Sequence, residues 1–338
     1  MPKEGRVNGH RPTELIGQLG PISISTAPIE DSDFAFDVER TVAAVTTLRA
    51  EIPSDARTAA YLGTEREGSG IVIDDQGLVL TIGYLMLESR SVTVLAADGT
   101  AVAADFVAYD SETGFGLVRA VSPLGRPALP VGSAAELGPG DDVVVAARGG
   151  RRQAILTEVT ARREFAGYWE YLIEDAIFTA PPHPNWSGAA LIDGQGLLCG
   201  VGSLLVDDAG QGEAASQGNM FVPIDLLPPL LEALEAGTLA SRSPRPWLGM
   251  FTAEALEQLV VTHVAPDGPA DRAGIKAGDV VVRARGEFVS SLADFYRLVW
   301  SMGAAGVEVP LTVLRESVAL ELTVHSVSRG AFFRTPRE

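Results

Sequence analysis

Short apolar runs separated by turn residues fill residues 68–206, and they constrain the fold more than any other feature of the chain. The apolar run 71–73 is followed by the turn 74–77, Asp-Asp-Gln-Gly, and the run 191–192 by the turn 193–196, Asp-Gly-Gln-Gly. Strand-length runs that end in Asp and Gly are typical of antiparallel strands joined by tight turns. With 36 Gly and 21 Pro in the chain as well, we predict a mainly β protein made of barrels or sandwiches.

The chain has 338 residues, which is more than one compact domain usually holds. Its first 33 residues are polar and predict an arm. Residues 37–50 then place Val38, Val42, Val45 and Leu48 at helical spacing, which predicts a short helix. A Pro- and Ser-rich stretch near residue 240 predicts a linker ahead of a second module. The boundaries that we predict are 1–60 for the arm and helix, 61–235 for the first domain, 236–246 for the linker and 247–328 for the second module.

Charge and composition exclude several classes of protein. The formal charge of −18 argues against nucleic acid and anionic lipid as partners, because both are bound by basic patches. No segment has the apolar length of a membrane-spanning helix, and the N-terminus lacks the apolar core of a secretory signal, so we expect a cytoplasmic protein without membrane insertion. A single cysteine, Cys199, rules out an intramolecular disulfide, and its apolar surroundings predict an inert thiol.

The segment 183–192, His-Pro-Asn-Trp-Ser-Gly-Ala-Ala-Leu-Ile, resembles the nucleophile loop of trypsin-like serine proteases, with Ser187 as the nucleophile. It is one of five stretches that together resemble the HtrA family, in which a chymotrypsin-like double β-barrel precedes one or more PDZ domains. The resemblance implies that architecture here, and it puts the positions of base, acid and nucleophile in that order along the chain. The five stretches are residues 68–77, 80–85, 110–118, 183–192 and 219–224.

Three departures from the family's pattern argue against catalysis. Tyr84 stands at the position that the resemblance assigns to the general base, and a phenol with a pKa near 10 is a poor base at neutral pH. Gly114 stands at the position of the orienting acid and has no side chain. Asn185 replaces a glycine whose backbone N–H helps to form the oxyanion hole in the family. His183 is close to Ser187 in sequence, but it lies between prolines, and we expect it to point elsewhere.

The second module carries the most specific motif. Residues 267–281, Asp-Gly-Pro-Ala-Asp-Arg-Ala-Gly-Ile-Lys-Ala-Gly-Asp-Val-Val, are very similar to a run in the PDZ domains of the family, and residues 246–250 resemble its carboxylate-binding loop. Such a domain binds an extended peptide as an added strand, with an apolar pocket for the last side chain. For the helical positions among the candidates, packing in the core is an equal alternative. The candidate peptide-binding residues are Trp247, Leu248, Gly249, Met250, Leu292, Phe295 and Val299.

We therefore predict a non-catalytic, HtrA-like protein that binds a polypeptide or a protein C-terminus, as an adaptor, scaffold or assembly factor. The alternatives are an active serine endopeptidase with an unusual base and a structural subunit of a larger enzyme complex. A homo-oligomer with contacts at Phe34 and Phe36 is possible by resemblance, and we expect neither a cofactor nor a metal. An aromatic group at residues 165–171 predicts either a partner surface or packing in a barrel.

Overall fold

The computed structural model describes residues 29, 34–210, 217–239, 243–255 and 258–333. The chain forms two compact units. The first contains the described residues of Met1–Arg163 together with Asp175–Gly237, and the second contains Glu164–Glu174 together with the described residues of Thr238–Arg334.

The first unit begins with a short helix that leads into a closed six-stranded barrel. Helix α1 (Val38–Ala43) is capped by Asp37, whose carboxylate accepts a hydrogen bond from Arg40 N. In the barrel the strands are ordered β1-β2-β3-β6-β5-β4, and all the pairs with described registers are antiparallel. The strands are β1 (Val45–Glu51), β2 (Glu65–Val72), β3 (Leu78–Ile82), β4 (Ser91–Leu95), β5 (Ala101–Tyr109) and β6 (Phe115–Ala120).

The helix that the sequence predicts across residues 37–50 is wrong beyond Ala43, because Val45 already begins strand β1. Val45 and Leu48 are both buried, and three-residue spacing of apolar residues fits a helix as well as a strand that is covered on both faces. The first barrel consequently starts before residue 61, where the sequence set the boundary. A second short helix, α2 (Ala59–Leu62), connects β1 and β2.

The second barrel closes in the order β10-β11-β12-β9-β8-β7 around a small apolar core that includes Cys199 and Phe221, both fully buried. The turns that precede β3 and β11 use the same device: Asp74 Oδ1 accepts hydrogen bonds from two backbone N–H groups, and so does Asp193 Oδ1. Helix α3 (Pro228–Glu235) ends the unit. The strands are β7 (Asp142–Ala146), β8 (Ala154–Gly167), β9 (Tyr171–Ala180), β10 (Ala190–Ile192), β11 (Leu198–Val206) and β12 (Gly218–Pro223).

The second unit is built on a separate sheet ordered β14-β15-β16-β18-β19, with a two-stranded pair of β13 and β20 beside it. Its longest helix, α5 (Leu292–Ser301), is capped by Ser291, whose hydroxyl accepts from Asp294 N, and it buries one face in the core. The other helices are α4 (Pro269–Arg272) and α6 (Arg329–Phe332). The strands are β13 (Pro246–Trp247), β14 (Met250–Ala255), β15 (Gln258–Val264), β16 (Val280–Ala284), β17 (Glu287–Phe288), β18 (Glu308–Arg315), β19 (Val318–His325) and β20 (Val327–Ser328).

One segment of the second barrel's sequence belongs to the second unit. Strands β8 and β9 form a hairpin whose tip, Glu164–Glu174, is counted with the sheet of β14 to β19. At the turn of this hairpin Glu170 has a φ of 61°, a left-handed conformation that non-glycine residues rarely adopt. The mainly β prediction, with two barrels ahead of a smaller domain, is confirmed by this arrangement.

Candidate functional site

The loop that carries Ser187 is fixed to the first unit by backbone hydrogen bonds. The Ser187 carbonyl oxygen accepts from Ser69 N at 2.8 Å, and Gly188 N donates to the Gly202 carbonyl at 2.8 Å. Gly188 has a φ of 73°, and a Cβ atom there would lie 2.1 Å from the Ser69 carbonyl oxygen. Only glycine allows the loop to approach β2 this closely.

Tyr84 lies beside Ser187, at the position where the resemblance places the general base. It stands in a 3₁₀ turn (Gly83–Leu85) directly after β3, and its hydroxyl oxygen lies 2.8 Å from Ser187 Oγ and 2.9 Å from the Ser203 carbonyl oxygen. A phenol has one proton and a carbonyl can only accept, so both contacts are satisfied when Tyr84 donates to Ser203 and accepts from Ser187. In that arrangement the Ser187 hydroxyl donates its proton in a hydrogen bond to the Tyr84 oxygen.

Burial of this hydroxyl raises the pKa of Tyr84 to about 12. The phenolate that would act as a base is therefore scarce at neutral pH, and Tyr84 differs in this from an imidazole, whose pKa lies near 6.5. The phenol can hold the serine hydroxyl in place, but at neutral pH it does little to remove its proton.

The position that the resemblance assigns to the orienting acid contributes only backbone. Gly114 has a φ of 82°, and its carbonyl oxygen accepts from Gly83 N at 2.7 Å, next to Tyr84. The carboxylate of Asp110, earlier in the same loop, accepts from Glu112 N and from the Thr113 hydroxyl within its own turn. Gly114 thus supports the Tyr84 turn, but it has no side chain that could orient a base or stabilise its protonated form.

His183 is buried, and both of its ring nitrogens bind groups other than Ser187. Its Nδ1 accepts a hydrogen bond from Asn185 N at 2.9 Å, which leaves Nε2 as the protonated nitrogen, and this donates to the Gln153 carbonyl at 3.0 Å. Burial is the main cause that lowers the pKa of His183 to about 4. The imidazole is therefore neutral at physiological pH and holds the loop.

The hydrogen bond from Asn185 N to the His183 ring also bears on the role of Asn185 in an oxyanion hole. By resemblance its backbone N–H is an oxyanion-hole donor, yet that N–H is bonded to the His183 ring. The Asn185 side chain donates to Gln153 Oε1 at 3.2 Å and accepts from Arg148 Nη2 at 3.4 Å. The donor that would stabilise a developing negative charge on a substrate is thus occupied within the loop.

A small cleft opens in front of Ser187. Its one carboxylate, Glu67, pairs with Arg49 and with Arg148, the latter at 2.8 Å, so it is engaged with two cations. The cleft is lined by Glu67, Gly68, Arg148, Pro184, Asn185, Trp186 and Ser187.

The neutral state of His183 predicts a loss of stability in acid. Because its pKa of about 4 in the folded protein lies below the value near 6.5 in an unfolded chain, only the unfolded chain takes up a proton as the pH falls from 6.5 to 4. We expect this linkage to lower the free energy of unfolding by about 3 kcal/mol across that window. Urea unfolding from pH 7 to pH 4 measures the effect, which should be absent in His183→Gln and kept in His325→Gln, where the replaced imidazole is exposed. Equal pH dependence in wild type and His183→Gln would contradict the assignment of a buried neutral imidazole.

In the second unit the predicted carboxylate-binding loop binds a carboxylate of the chain itself. Glu170 Oε2 accepts from Leu248 N at 2.8 Å, and Oε1 accepts from Gly249 N at 2.7 Å and from Met250 N at 3.2 Å. Burial raises the pKa of Glu170 to about 7, against the three N–H donors and the charge of Arg329, which lower it. The sequence missed Glu170, because nothing in its neighbourhood marks it as a partner of a loop nearly 80 residues away.

The other candidate residues of the peptide site lie in the apolar core. Leu248 and Met250 are buried with Leu292, Phe295 and Val299 in one cluster, and this cluster also includes Leu172 from the hairpin tip. Trp247 instead packs against the rings of Phe332 and Phe333, both tilted relative to its own. A role of these side chains in a peptide groove stays a prediction.

Two sequence expectations concern absences. Among the residues that the structure describes, no three His, Cys, Asp or Glu side chains are grouped as metal ligands would be. Within the same described ranges, no helix has the length and apolar character needed to cross a membrane. Near the N-terminal end of the described residues, the rings of Phe34 and Phe36 lie 5.2 Å apart, and their role in an oligomer contact stays a prediction.

Two parts of the chain match models of known domain families. Residues 68–201 match the trypsin-like peptidase domain, and residues 244–325 match the PDZ domain. The chain is 29% identical over 303 residues to Protease Do-like 1, chloroplastic, of Arabidopsis thaliana, which covers 82% of this chain and 67% of the relative. It is 25% identical to the serine endoprotease DegS of Escherichia coli K12, covering 76% of this chain and 75% of the relative.

Among solved structures, the HtrA-type protease AlgW with a decapeptide is similar, with 21% identity and a TM-score of 0.50. The similarity covers 89% of this chain and 98% of that one. At this level of identity it supports the fold alone. The prediction of a trypsin-like domain followed by a PDZ domain is confirmed.

Proposed function

Because the chain joins an HtrA-like trypsin-fold domain to a PDZ domain, we propose that it is a polypeptide-binding protein whose trypsin-like site no longer cuts. The observation that carries this proposal is the environment of Ser187. Its hydroxyl faces a phenol with a pKa of about 12, and the Asn185 N–H is bonded to a neutral, buried histidine. Neither proton removal nor stabilisation of an oxyanion is supplied by this arrangement.

The expected size of the loss is large. Removal of a catalytic triad lowers turnover by about a millionfold, and the residual rate depends on binding and on the oxyanion hole. Here one donor of that hole is also engaged, so we expect hydrolysis near the uncatalysed rate. A cleft that keeps its shape without the chemistry is suited to holding extended chains, alongside the strand-addition mode of a PDZ domain.

A fluorophosphonate probe tests the proposal, because only an activated serine hydroxyl reacts with it at a useful rate. Wild type and Ser187→Ala should both label at background, with an active trypsin-like protease as the positive control, and neither should degrade unfolded casein. Labelling or casein cleavage that requires Ser187 would contradict the proposal.

The second candidate function is a serine endopeptidase that uses Tyr84 as an unusual base. It is favoured by the 2.8 Å contact between the Tyr84 and Ser187 oxygens, and relatives such as DegS are named serine endoproteases. Under this alternative, labelling by the probe should disappear in Tyr84→Phe and rise steeply between pH 9 and pH 12, as a phenolate forms. A flat, background profile over that range would exclude it.

A further inference from the structure

The tip of the β8–β9 hairpin makes three kinds of contact that a bound peptide C-terminus would make with the second unit. The first is the carboxylate. Both oxygens of Glu170 accept hydrogen bonds from the consecutive N–H groups of Leu248, Gly249 and Met250, at 2.7 to 3.2 Å. The residue is only 7% exposed, so the loop surrounds a carboxylate that solvent barely reaches. Three N–H groups converging on one carboxylate form an anion site.

The second contact is made by backbone. Among the strands of the described residues, β14 lies at the edge of its sheet and pairs with β15 on one side. On its other side, Thr252 N donates to the Tyr168 carbonyl oxygen at 2.9 Å. Edge strands bind extended peptides through such backbone hydrogen bonds, and here the hairpin supplies the acceptor.

The third contact is apolar. Leu172 follows Glu170 by two residues, is 8% exposed, and belongs to the same buried cluster as Leu248, Phe295 and Val299. The hydroxyl of Tyr296, on helix α5, fixes the turn from the other side. It donates to the Gly167 carbonyl at 2.8 Å and accepts from Glu170 N at 3.2 Å. The tip therefore provides a carboxylate, a backbone acceptor and a branched aliphatic side chain to one surface.

We propose that Glu170 is an internal ligand of the PDZ carboxylate site, and that a polypeptide with a free α-carboxylate and an apolar last residue binds there by displacing the hairpin tip. This inference rests on the proposed function, because it names the class of peptide that the PDZ domain takes. Glu170 reaches the loop from a backbone with a φ of 61°, a conformation that is costly for a non-glycine residue. A separate peptide that brings its own terminal carboxylate does not bear this backbone cost.

Occupation of the loop by Glu170 lowers the apparent affinity of the PDZ domain for an outside peptide. When only a fraction of the molecules has an open site, the apparent dissociation constant equals the intrinsic one divided by that fraction. Variants that release the tip should therefore bind the same peptide more tightly, by a factor that reports how fully Glu170 occupies the loop. If the site is open in at most about a tenth of the wild-type molecules, the gain is about tenfold or more.

The experiment is a fluorescence anisotropy titration of the full chain at pH 8, where Glu170 is ionised. The probe is a fluorescein-labelled decapeptide that ends in Leu with a free carboxylate, chosen because the hairpin presents Leu172, and the same peptide with a C-terminal amide is the paired probe. Glu170→Gln and Glu170→Ala should bind the free-carboxylate peptide at least about tenfold more tightly than wild type. Glu174→Gln, an exposed glutamate on the same hairpin, is the matched control and should bind like wild type. The amidated peptide should bind weakly to all four proteins.

Equal affinity of wild type and both Glu170 variants would overturn the inference and leave the proposed peptide-binding function standing. Failure of every variant to bind the peptide would contradict the proposed function and the inference together. Thermal melting checks that the variants fold. Amide hydrogen exchange of wild type gives an independent reading, because the N–H groups of Leu248, Gly249 and Met250 should be protected without peptide. Fast exchange at these three amides would overturn the inference without any variant.

Discussion

Replacing Gly188 with alanine should lower the free energy of unfolding of the first unit by at least about 3 kcal/mol. The added Cβ would lie 2.1 Å from the Ser69 carbonyl oxygen and 2.8 Å from Thr81 Oγ1, and a φ of 73° disfavours any side chain. Relief would require the loop to move away from β2, and this movement would break the hydrogen bond from Ser69 N to the Ser187 carbonyl. Backbone atoms cannot give way as the end of a flexible side chain can.

Gly194→Ala is the matched control for this prediction. Gly194 lies in the turn before β11, its φ is not positive, and a Cβ there meets nothing within 4 Å. We expect its free energy of unfolding to change by less than about 1 kcal/mol, and in the stabilising direction if the alanine restricts the unfolded chain. Urea unfolding, followed by hydrogen exchange of the amides in β10 and β11, reports on the first unit separately. Similar losses in the two variants would show that close approach does not fix the Ser187 loop.

Turn chemistry explains why so much of the fold was predictable from the sequence. Asp74 and Asp193 each accept two local N–H bonds, so the hairpins they close are determined within a few residues. The PDZ motif at 267–281 is likewise one continuous stretch, so it can be recognised without the rest of the chain. Where periodicity alone carried the interpretation, as in β1, two buried residues on opposite faces of a strand, Val45 and Leu48, were mistaken for one face of a helix.

The site was predictable in its positions but not in its contacts. The sequence places Tyr84 and Ser187 at matching positions, yet the 2.8 Å contact between them depends on a separation of 103 residues. The expectation that His183 points away from Ser187 agrees with its bonds to Gln153 and Asn185. That the imidazole would engage the Asn185 N–H could not be predicted, because the loop conformation decides it. The contacts of Glu170 were the least predictable, since its partners lie 78 to 80 residues further along the chain.

The buried network around Arg66 should be as sensitive as the Ser187 loop. The Arg66 side chain, in a residue that is 6% exposed, donates to the carbonyl oxygens of Tyr84 and Leu87 and to the Thr58 hydroxyl. That hydroxyl in turn donates to Glu88, which is 2% exposed. Burial lowers the pKa of Arg66 to about 10, opposed by the charge of Glu88, so the guanidinium stays charged at neutral pH.

Arg66→Met should therefore cost about 3–5 kcal/mol of unfolding free energy, because it removes a buried guanidinium whose charge attracts the buried Glu88 carboxylate. It also frees the carbonyl of Tyr84, so the turn that holds the phenol against Ser187 should loosen. Arg49→Met is the matched control, since Arg49 pairs with Glu67 while its own side chain is 57% exposed, and exposed pairs contribute at most about 1 kcal/mol. Adding Glu88→Gln to Arg66→Met should recover part of the loss, because it removes a buried negative charge that the guanidinium no longer attracts. If the double variant is no more stable than Arg66→Met, the buried Glu88 charge is not the cause, and the four hydrogen bonds lost with the guanidinium account for the whole effect.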